Sequence, residues 1–225
     1  MRRYLPVALS LALFAAVLAV SPASAHRPYF EEDDIVAAKP WLIKDPTIST
    51  VVYATLDASS DVDYYAFDGR QGERILLEIT IPQIEGQDNF APTIALLGPG
   101  LPTASLPMKV ERPSGATGAL LVEPPAGPAS TFFEPFSRTS YWERQSQRVA
   151  LPADGRYMVT VWHPTGETGR YGFVIGDKER PGGDPSFMRK LRDYWTPFQP
   201  AAEAPAAEAG RADQRTRCIL FICFR

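Results

Sequence analysis

Residues 73–81 read Glu-Arg-Ile-Leu-Leu-Glu-Ile-Thr-Ile, and their side chains alternate between two faces. One face carries four apolar side chains: Ile75, Leu77, Ile79 and Ile81. The opposite face carries Arg74, Glu78 and Thr80. A period of two is typical of a β-strand that buries one face, so this segment predicts a strand at a hydrophobic core.

Seven further short segments are rich in β-branched and aromatic residues and are bounded by Gly, Pro, Asp or Ser. They are residues 50–56, 61–68, 93–97, 119–122, 147–151, 156–162 and 169–176. Regular spacing of short strands and turns is typical of sandwiches and jelly rolls. The sequence therefore predicts an all-β fold, a jelly-roll-like antiparallel β-sandwich of about eight strands.

Two local patterns refine this fold. Residues 151–157, Leu-Pro-Ala-Asp-Gly-Arg-Tyr, fit a tyrosine corner, in which a tyrosine near a strand start bonds to the backbone upstream. Farther on, Asp184 suits an N-cap, Pro185 suits the first helical position, and Phe187, Leu191 and Trp195 follow at helical spacing. We expect one short C-terminal helix on the sandwich.

The chain of 225 residues divides into four parts. Residues 1–25 resemble a signal peptide, with Arg2 and Arg3 before an apolar run and an Ala-x-Ala site that predicts cleavage after Ala25. Residues 26–49 are predicted as an N-terminal arm and residues 50–197 as the sandwich with its packed helix. A Pro/Ala/Glu-rich tail, residues 198–225, is predicted to be disordered. The protein is thus predicted to be exported, periplasmic or extracellular, with no transmembrane segment after cleavage.

The net charge limits the classes of partner, and the cysteine positions limit what can stabilise the domain. Twenty-three basic and 26 acidic residues give a net charge of −3, and loss of Arg2 and Arg3 leaves −5. Because no basic surplus is available to neutralise phosphates, nucleic acid is not an expected partner. Both cysteines, Cys218 and Cys223, lie in the tail, so burial and hydrogen bonds must hold the domain together.

Two segments resemble bacterial pre-peptidase C-terminal domains. The first is Asp-Val-Asp-Tyr-Tyr-Ala-Phe-Asp at residues 61–68, with Gly-Glu-Arg-Ile at 72–75. The second is Ala-Asp-Gly-Arg-Tyr-Met-Val at residues 153–159, with Gly-Glu-Thr-Gly-Arg-Tyr at 166–171. The resemblance implies a small extracellular β-sandwich, accessory to secreted enzymes and often a binding module, and some members of the family bind calcium.

Four aspartates form a candidate calcium site: Asp57, Asp61, Asp63 and Asp68. Calcium takes several carboxylate and carbonyl oxygens, and Asp61 and Asp63 point the same way from a strand start. The alternative is that these residues cap turns beside Gly69. The acidic run at residues 31–34 is interpreted as a solvated segment.

The two histidines suggest a copper alternative. Cleavage after Ala25 would make His26 the N-terminal residue, whose α-amine and imidazole chelate a metal, and His163 would supply a second imidazole. Such a histidine brace suits Cu(II). The competing interpretation is a coincidental terminal histidine and an unrelated loop histidine.

Aromatic residues crowd one predicted loop, which forms a candidate partner-binding platform: Phe132, Phe133, Phe136, Tyr141 and Trp142. Exposed rings offer rigid apolar faces to a sugar or a protein. The alternative is a loop that folds over an open end of the sandwich and buries its rings.

The sequence has no G-x-S-x-G motif, no zinc-ligand spacing and no phosphate-binding glycine loop. We therefore expect no catalytic residues and no cofactor, with copper and calcium as the two metal alternatives. The function predicted from sequence is a secreted, non-catalytic binding or structural module of the cell envelope. Its predicted partner is a protein, an envelope component or a glycan.

Overall fold

A computed structural model describes residues 26–135 and 137–196. The predicted signal peptide, Phe136 and the predicted tail with its two cysteines lie outside these residues. The strands are β1 (Arg27–Phe30), β2 (Trp41–Leu42), β3 (Thr50–Leu56), β4 (Asp63–Gly69), β5 (Arg74–Pro82), β6 (Thr93–Gly98), β7 (Gly118–Val122), β8 (Ser130–Glu134), β9 (Thr139–Ala150), β10 (Gly155–Trp162) and β11 (Gly169–Ile175). One helix, α1 (Phe187–Tyr194), follows the last strand.

The strands form two sheets, which confirms the all-β sandwich. A six-stranded sheet has the order β1-β3-β11-β5-β9-β8, and a five-stranded sheet has the order β2-β4-β10-β6-β7. Most neighbours are antiparallel, as predicted, but β1 runs parallel to β3 and β2 runs parallel to β4. Both parallel pairs arise because the arm adds one strand to the edge of each sheet, which strand spacing along the sequence does not reveal.

The core lies between the sheets and is built from the alternating side chains that the sequence marked. The inward face of β5 is buried at Ile75, Leu77, Ile79 and Ile81. Strands β10 and β11 add Tyr157, Val159, Val161, Tyr171, Phe173 and Ile175 to the same cluster. At about 25 cal/mol per Å² of apolar surface, this face is the main stabilising contribution to the sandwich.

Both outer faces are also covered, which explains why β3 and β6 are apolar on both sides. Helix α1 packs Phe187, Leu191 and Tyr194 against Val51 and Tyr53 of the six-stranded sheet. On the five-stranded sheet, Val110 and partly buried residues of the 101–117 segment cover Trp162 and its neighbours.

The helix begins slightly later than predicted. Its N-cap is Ser186 rather than Asp184, although the Asp184 carboxylate accepts a hydrogen bond of 2.7 Å from the Ser186 N–H. The buried helical positions are Phe187, Leu191 and Tyr194, while Trp195 is the C-cap and only partly buried.

The predicted tyrosine corner is formed. The hydroxyl of Tyr157 donates to the carbonyl of Ala153 at 2.8 Å and lies 3.1 Å from the carbonyl of Pro99. Its ring is fully buried and stacks on Phe67 at a centroid distance of 5.6 Å. The contact fixes the crossover between β9 and β10 to the end of β6.

No helix within residues 26–135 and 137–196 is long and apolar enough to cross a membrane.

Candidate cation site

The arm crosses from one sheet to the other at the end of the sandwich where β3 turns into β4. The Glu31 N–H donates to the carbonyl of Tyr53 at 2.9 Å, and the Tyr64 N–H donates to the carbonyl of Ile35 at 3.0 Å. Residues 31–35 are therefore held against β3 on one side and β4 on the other. This crossover carries the acidic run of the sequence into contact with the sandwich.

Three carboxylates meet beneath the crossover. Glu31, Asp34 and Asp63 each place one oxygen within 4.8 Å of the others. Asp63 begins β4 and is fully buried, Glu31 is partly buried, and Asp34 is exposed. Asp61 lies two residues before Asp63 and its charge acts on both Glu31 and Asp63. We call Glu31, Asp34, Asp61 and Asp63 the carboxylate cluster.

Asp63 has one oxygen in a hydrogen bond and one without. Its Oδ2 accepts a short hydrogen bond from the Tyr171 hydroxyl. Its Oδ1 is buried and has no hydrogen-bond partner among the described residues. A buried, unsatisfied carboxylate oxygen is costly and requires an explanation.

The cluster holds its carboxyls in an environment that disfavours their charge. Burial, together with the charges of Asp61 and Asp34, raises the pKa of Glu31 to about 7, although a hydrogen bond from the Thr55 N–H lowers it. Burial raises the pKa of Asp61 to about 6, and the neighbouring Asp34 adds to the rise. Burial and the charges of Glu31 and Asp61 hold the pKa of Asp63 well above its usual range. Neighbouring positive charge is therefore too weak to offset these rises.

Two tyrosines connect the cluster to the core. The hydroxyls of Tyr65 on β4 and Tyr171 on β11 lie 2.8 Å apart, and Tyr171 continues the chain to Asp63. The two strands belong to different sheets, so this buried chain of hydrogen bonds joins the sheets and fixes the orientation of the Asp63 carboxylate.

We expect the substitution Tyr171→Phe to lower the free energy of unfolding by about 1.5 kcal/mol, because it leaves Asp63 Oδ2 and the Tyr65 hydroxyl unsatisfied. Urea unfolding of the purified domain measures the change. Tyr64→Phe is the control, since among the described residues the Tyr64 hydroxyl has one hydrogen bond, from the Glu111 N–H at 2.8 Å. Equal losses in the two variants would contradict a special role for the chain through Tyr171.

The donor set suits a hard cation. All four side chains offer carboxylate oxygens, the ligands that Ca²⁺ takes, and Oδ1 of Asp63 is a buried acceptor without a hydrogen-bond partner among the described residues. The residues present therefore fit a calcium ion. Glu31, Asp34 and Asp63 would hold it, with Asp61 beside them, and the ion would supply the missing positive charge.

The structure separates the four aspartates predicted from sequence. Asp61 and Asp63 join the cluster, and the Asp57 N–H donates to Asp61 Oδ2 at 2.8 Å while its own side chain is exposed. Asp68 does not join: it lies at the far end of β4, roughly 16 Å along the strand from Asp63, and pairs with Arg156 at 2.7 Å.

The interpretation of the acidic run as a solvated segment is wrong for one residue. Glu32, Asp33 and Asp34 are exposed, but Glu31 is partly buried and accepts the Thr55 N–H at 2.8 Å. Sequence reasoning therefore missed Glu31 and Asp34 as site residues. The only signal was the run itself, next to the aromatic residues Tyr29 and Phe30, which anchor it.

The structure does not bring the two histidines together. His26 bonds to the Ser49 hydroxyl just before β3. At the other end of β3, the Lys109 ammonium group donates to the carbonyls of both Ser59 and His163. A seven-residue strand separates these ends by roughly 20 Å. His163 Nδ1 also accepts the Glu167 N–H at 3.1 Å, and its ring stacks on Phe90. The structure therefore does not place His26 and His163 together as the predicted brace requires.

The predicted aromatic loop is a β-hairpin, β8–β9, and its aromatic residues have different environments. Phe132 and Phe133 on β8 are exposed, at 38% and 54% of their surface. Tyr141 is buried against Tyr53 and Trp195, and Trp142 packs on the core. Phe136 lies outside the described residues. The division follows the strand: both rings of the edge strand β8 are exposed, whereas both rings of β9 are packed.

A groove runs beside the cluster, between the crossover and the start of α1, with a volume of about 790 Å³. Tyr29 and Trp41 line it with their rings 5.3 Å apart. Lys190 bonds Glu32 at 2.6 Å and Asp184 at 2.7 Å across it. The crossover that carries Glu31 and Asp34 is therefore also one wall of the groove.

Comparison with known proteins returns solved structures only. No family model and no curated protein matches the chain. The chain is similar to PliG of Aeromonas hydrophila, a periplasmic inhibitor of g-type lysozyme (12% identity, 68% of this chain and 98% of that chain, TM-score 0.35). It is similar to the pre-peptidase C-terminal domain of a Bacillus anthracis collagenase (12% identity, 61% and 94%, TM-score 0.36). It is also similar to CorA, a surface-associated copper-binding protein of Methylomicrobium album (8% identity, 68% and 99%, TM-score 0.31).

A pre-peptidase C-terminal domain is thus among the structures similar to this chain, as the two sequence segments indicated. At these identities the likeness concerns the fold alone.

Proposed function

We propose that this protein is an exported, non-catalytic binding module whose N-terminal arm is fixed to the sandwich by a calcium ion. The observation that carries the proposal is the buried Asp63 Oδ1, which has no partner among the described residues and lies in a cluster of four carboxylates. A bound cation would satisfy this oxygen and offset the mutual repulsion of the cluster.

The ion would act on the arm rather than on a reacting substrate. Glu31 and Asp34 belong to the crossover, whereas Asp61 and Asp63 belong to the turn into β4. Holding the oxygens of Glu31, Asp34 and Asp63 at one point would fix the crossover to β4. Because the crossover forms one wall of the groove, calcium would also set the shape of the binding surface.

The groove is the proposed binding surface for a partner, which we expect to be a protein, an envelope component or a glycan. Its wall combines the aromatic pair Tyr29 and Trp41 with the charged side chains of Lys39 and Arg189. Aromatic faces with charged groups at the rim suit polar ligands that have apolar faces.

The non-catalytic part of the proposal is supported by the state of His163 in the β10–β11 loop. His163 Nδ1 accepts the Glu167 N–H, and burial lowers the pKa of His163 below its usual value. Its imidazole is thus engaged in holding the β10–β11 loop. Glu31 accepts the Thr55 N–H and Asp63 accepts the Tyr171 hydroxyl, so both carboxyls hold the fold together.

Calorimetric titration with Ca²⁺ tests the proposal. We expect one-to-one binding and a thermal midpoint that rises with calcium and falls when a chelator is added. The substitution Asp63→Asn is expected to weaken binding by about tenfold or more, since affinity depends on the number of charged ligands. Without calcium, Asp63→Asn is expected to keep or raise the midpoint, because it removes a buried charge from a repulsive cluster.

The matched control is Asp68→Asn, which removes a carboxylate of the same strand that pairs with Arg156 outside the cluster. It is expected to leave calcium binding unchanged. Absence of calcium binding in the wild-type protein, or equal weakening in both variants, would refute the calcium site. Calcium binding without any effect on binding of envelope fractions would refute the link to the groove.

A further inference from the structure

Strand β8 is an open edge of the six-stranded sheet. It pairs with β9 on one side, from Ser130 opposite Glu143 to Glu134 opposite Thr139. On its other side, Ser130–Phe133 make no backbone hydrogen bond within the part of the chain that the structure describes. Alternate residues of an edge strand direct their N–H and C=O groups outward, so β8 presents a template for another strand.

The other sheet edges are covered or very short. At β1, the Asp184 N–H donates to the carbonyl of Pro28 at 2.7 Å. At β7, the Ala119 N–H donates to the carbonyl of Pro102 at 2.7 Å. Strand β2 has only two residues. Among the described strands, β8 is thus the edge that is both long enough to pair and uncovered.

Both faces of this edge expose an aromatic ring. Phe132 and Phe133 are adjacent in β8, so their side chains point to opposite faces of the sheet, and they are exposed by 38% and 54%. A strand added beside β8 would cover both rings as well as the open backbone groups. An exposed apolar edge of this kind is otherwise an aggregation site.

The chain has a segment whose chemistry matches this edge. Residues 218–224 read Cys-Ile-Leu-Phe-Ile-Cys-Phe, which are apolar, rich in β-branched and aromatic side chains, and free of Pro, Gly and charge. Such a composition favours an extended strand and aggregates when it stays exposed. Pairing of the two would cover the open backbone groups of β8 and the apolar side chains of residues 218–224.

The last described residues of the chain lie close to the hairpin that carries this edge. These residues follow α1, where Trp195 packs edge-on against Tyr141 with ring centroids 4.9 Å apart. Tyr141 lies directly opposite Phe132 in the pairing of β9 with β8. Residues 197–217 then separate α1 from the apolar segment, and 21 residues reach up to about 70 Å when extended.

We propose that residues 218–224 add to β8 as a further strand of the six-stranded sheet within the same chain. The segment would pair its backbone with the open edge and pack its side chains on Phe132 and Phe133. This proposal is independent of calcium, because β8 lies at the opposite edge of the sheet from β1 and the crossover.

Cysteine trapping tests the proposal, because Cys218 and Cys223 are the two cysteines of the chain and both belong to the segment. Each residue of Ser130–Phe133 is replaced by cysteine in turn in the full chain, with either Cys218→Ser or Cys223→Ser present. Opposed residues of paired strands lie about 4.5–5.5 Å apart, within disulfide range. After mild oxidation, peptide mass spectrometry measures the disulfide to the remaining native cysteine.

We expect intramolecular disulfides at alternate positions along β8, because only every second residue shares a face with a given cysteine. Their rate is expected to exceed that of Ser114→Cys, exposed in the loop before β7 of the other sheet, by about tenfold or more. Equal yields at all β8 positions and at the Ser114 control would overturn the proposal, as would disulfides that join two chains.

Hydrogen exchange provides a measurement without substitutions. In the full chain, the outward amides of Ser130–Phe133 are expected to exchange at least about tenfold more slowly than in a chain that stops at residue 217. Unchanged exchange on removal of residues 218–225 would overturn the proposal. Protection that appears only when an extended peptide from another protein is added would assign the edge to a partner instead.

Discussion

The free energy of unfolding of the calcium-free protein is expected to fall by on the order of 2 kcal/mol as the pH rises from 5 to 8. Folding raises the pKa of Glu31 from 4.5 to about 7 and that of Asp61 from 3.8 to about 6, chiefly through burial. Between the unfolded and folded pKa values the native state binds protons that the unfolded chain has lost. The contribution of these two carboxyls to the free energy of unfolding is therefore fully present below pH 4 to 5 and is lost as the pH rises through about 7.

Other groups around the cluster affect how steeply the free energy of unfolding falls with pH. Asp34 and Asp57 carry further negative charge next to Asp61, and Lys109 faces it with positive charge. Burial lowers the pKa of His163, so its contribution has the opposite sign and stability gained from it increases with pH. The variant Glu31→Gln keeps His163 and removes one titrating carboxyl of the cluster, so its free energy of unfolding is expected to decline less between pH 6 and 8 than that of the wild type.

Calcium is expected to remove the decline. Because carboxylates must lose their protons to bind a metal, stabilisation by calcium grows with pH and opposes the loss. Urea unfolding at several pH values, with calcium and with chelator, measures both curves. A decline that is the same with and without calcium would show that the cluster titrates but holds no ion. A calcium-free curve that rises from pH 6 to 8 would contradict the raised carboxyl pKa values.

The substitution Gly98→Ala is expected to lower the free energy of unfolding by about 3 kcal/mol. A Cβ atom at Gly98 would lie 2.2 Å from Cδ1 and 2.5 Å from Cε1 of Tyr157. The tyrosine ring has little room to withdraw, because it is fully buried and stacked on Phe67 and its hydroxyl is bonded to Ala153. The added methyl group must therefore displace the tyrosine corner.

A double-mutant cycle separates this clash from a general backbone effect of alanine. In the background Tyr157→Leu, where the ring is gone, Gly98→Ala is expected to cost at least about 1 kcal/mol less than in the wild type. Denaturant unfolding measures all four proteins. If the cost of Gly98→Ala is the same in both backgrounds, contact with Tyr157 is not its cause.

The sequence predicted the sandwich because local patterns decided it. The alternation in residues 73–81 placed Ile75, Leu77 and Ile79 inward, where all three are buried. The tyrosine corner was also readable, because its bond joins Tyr157 to a carbonyl only four residues away. The position of a strand, and which of its side chains point toward the core, follow from the period of two, which depends on neighbouring residues alone.

Two predictions of secondary structure differ from the structure for different reasons. The segment from Phe132 to Trp142 is predicted as a loop because it has no simple alternation of polar and apolar residues, but β8 and the first part of β9 form a hairpin there. The arm is predicted without strands, but its segments become β1 and β2 by pairing with β3 and β4. Parallel pairing of this kind has no turn between its strands, and so leaves no turn signal in the sequence.

Local patterns were enough to predict the fold class, the inward faces of the strands, and Asp61 and Asp63 as neighbouring carboxylates. Contacts between distant segments bring Glu31 and Asp34 to them, pair Asp68 with Arg156, and place the two histidines at opposite ends of β3. The physical reason is that burial and charge repulsion act through space. Glu31 and Asp63 are 32 positions apart in the chain, and only the crossover of the arm between the two sheets brings their carboxylates together.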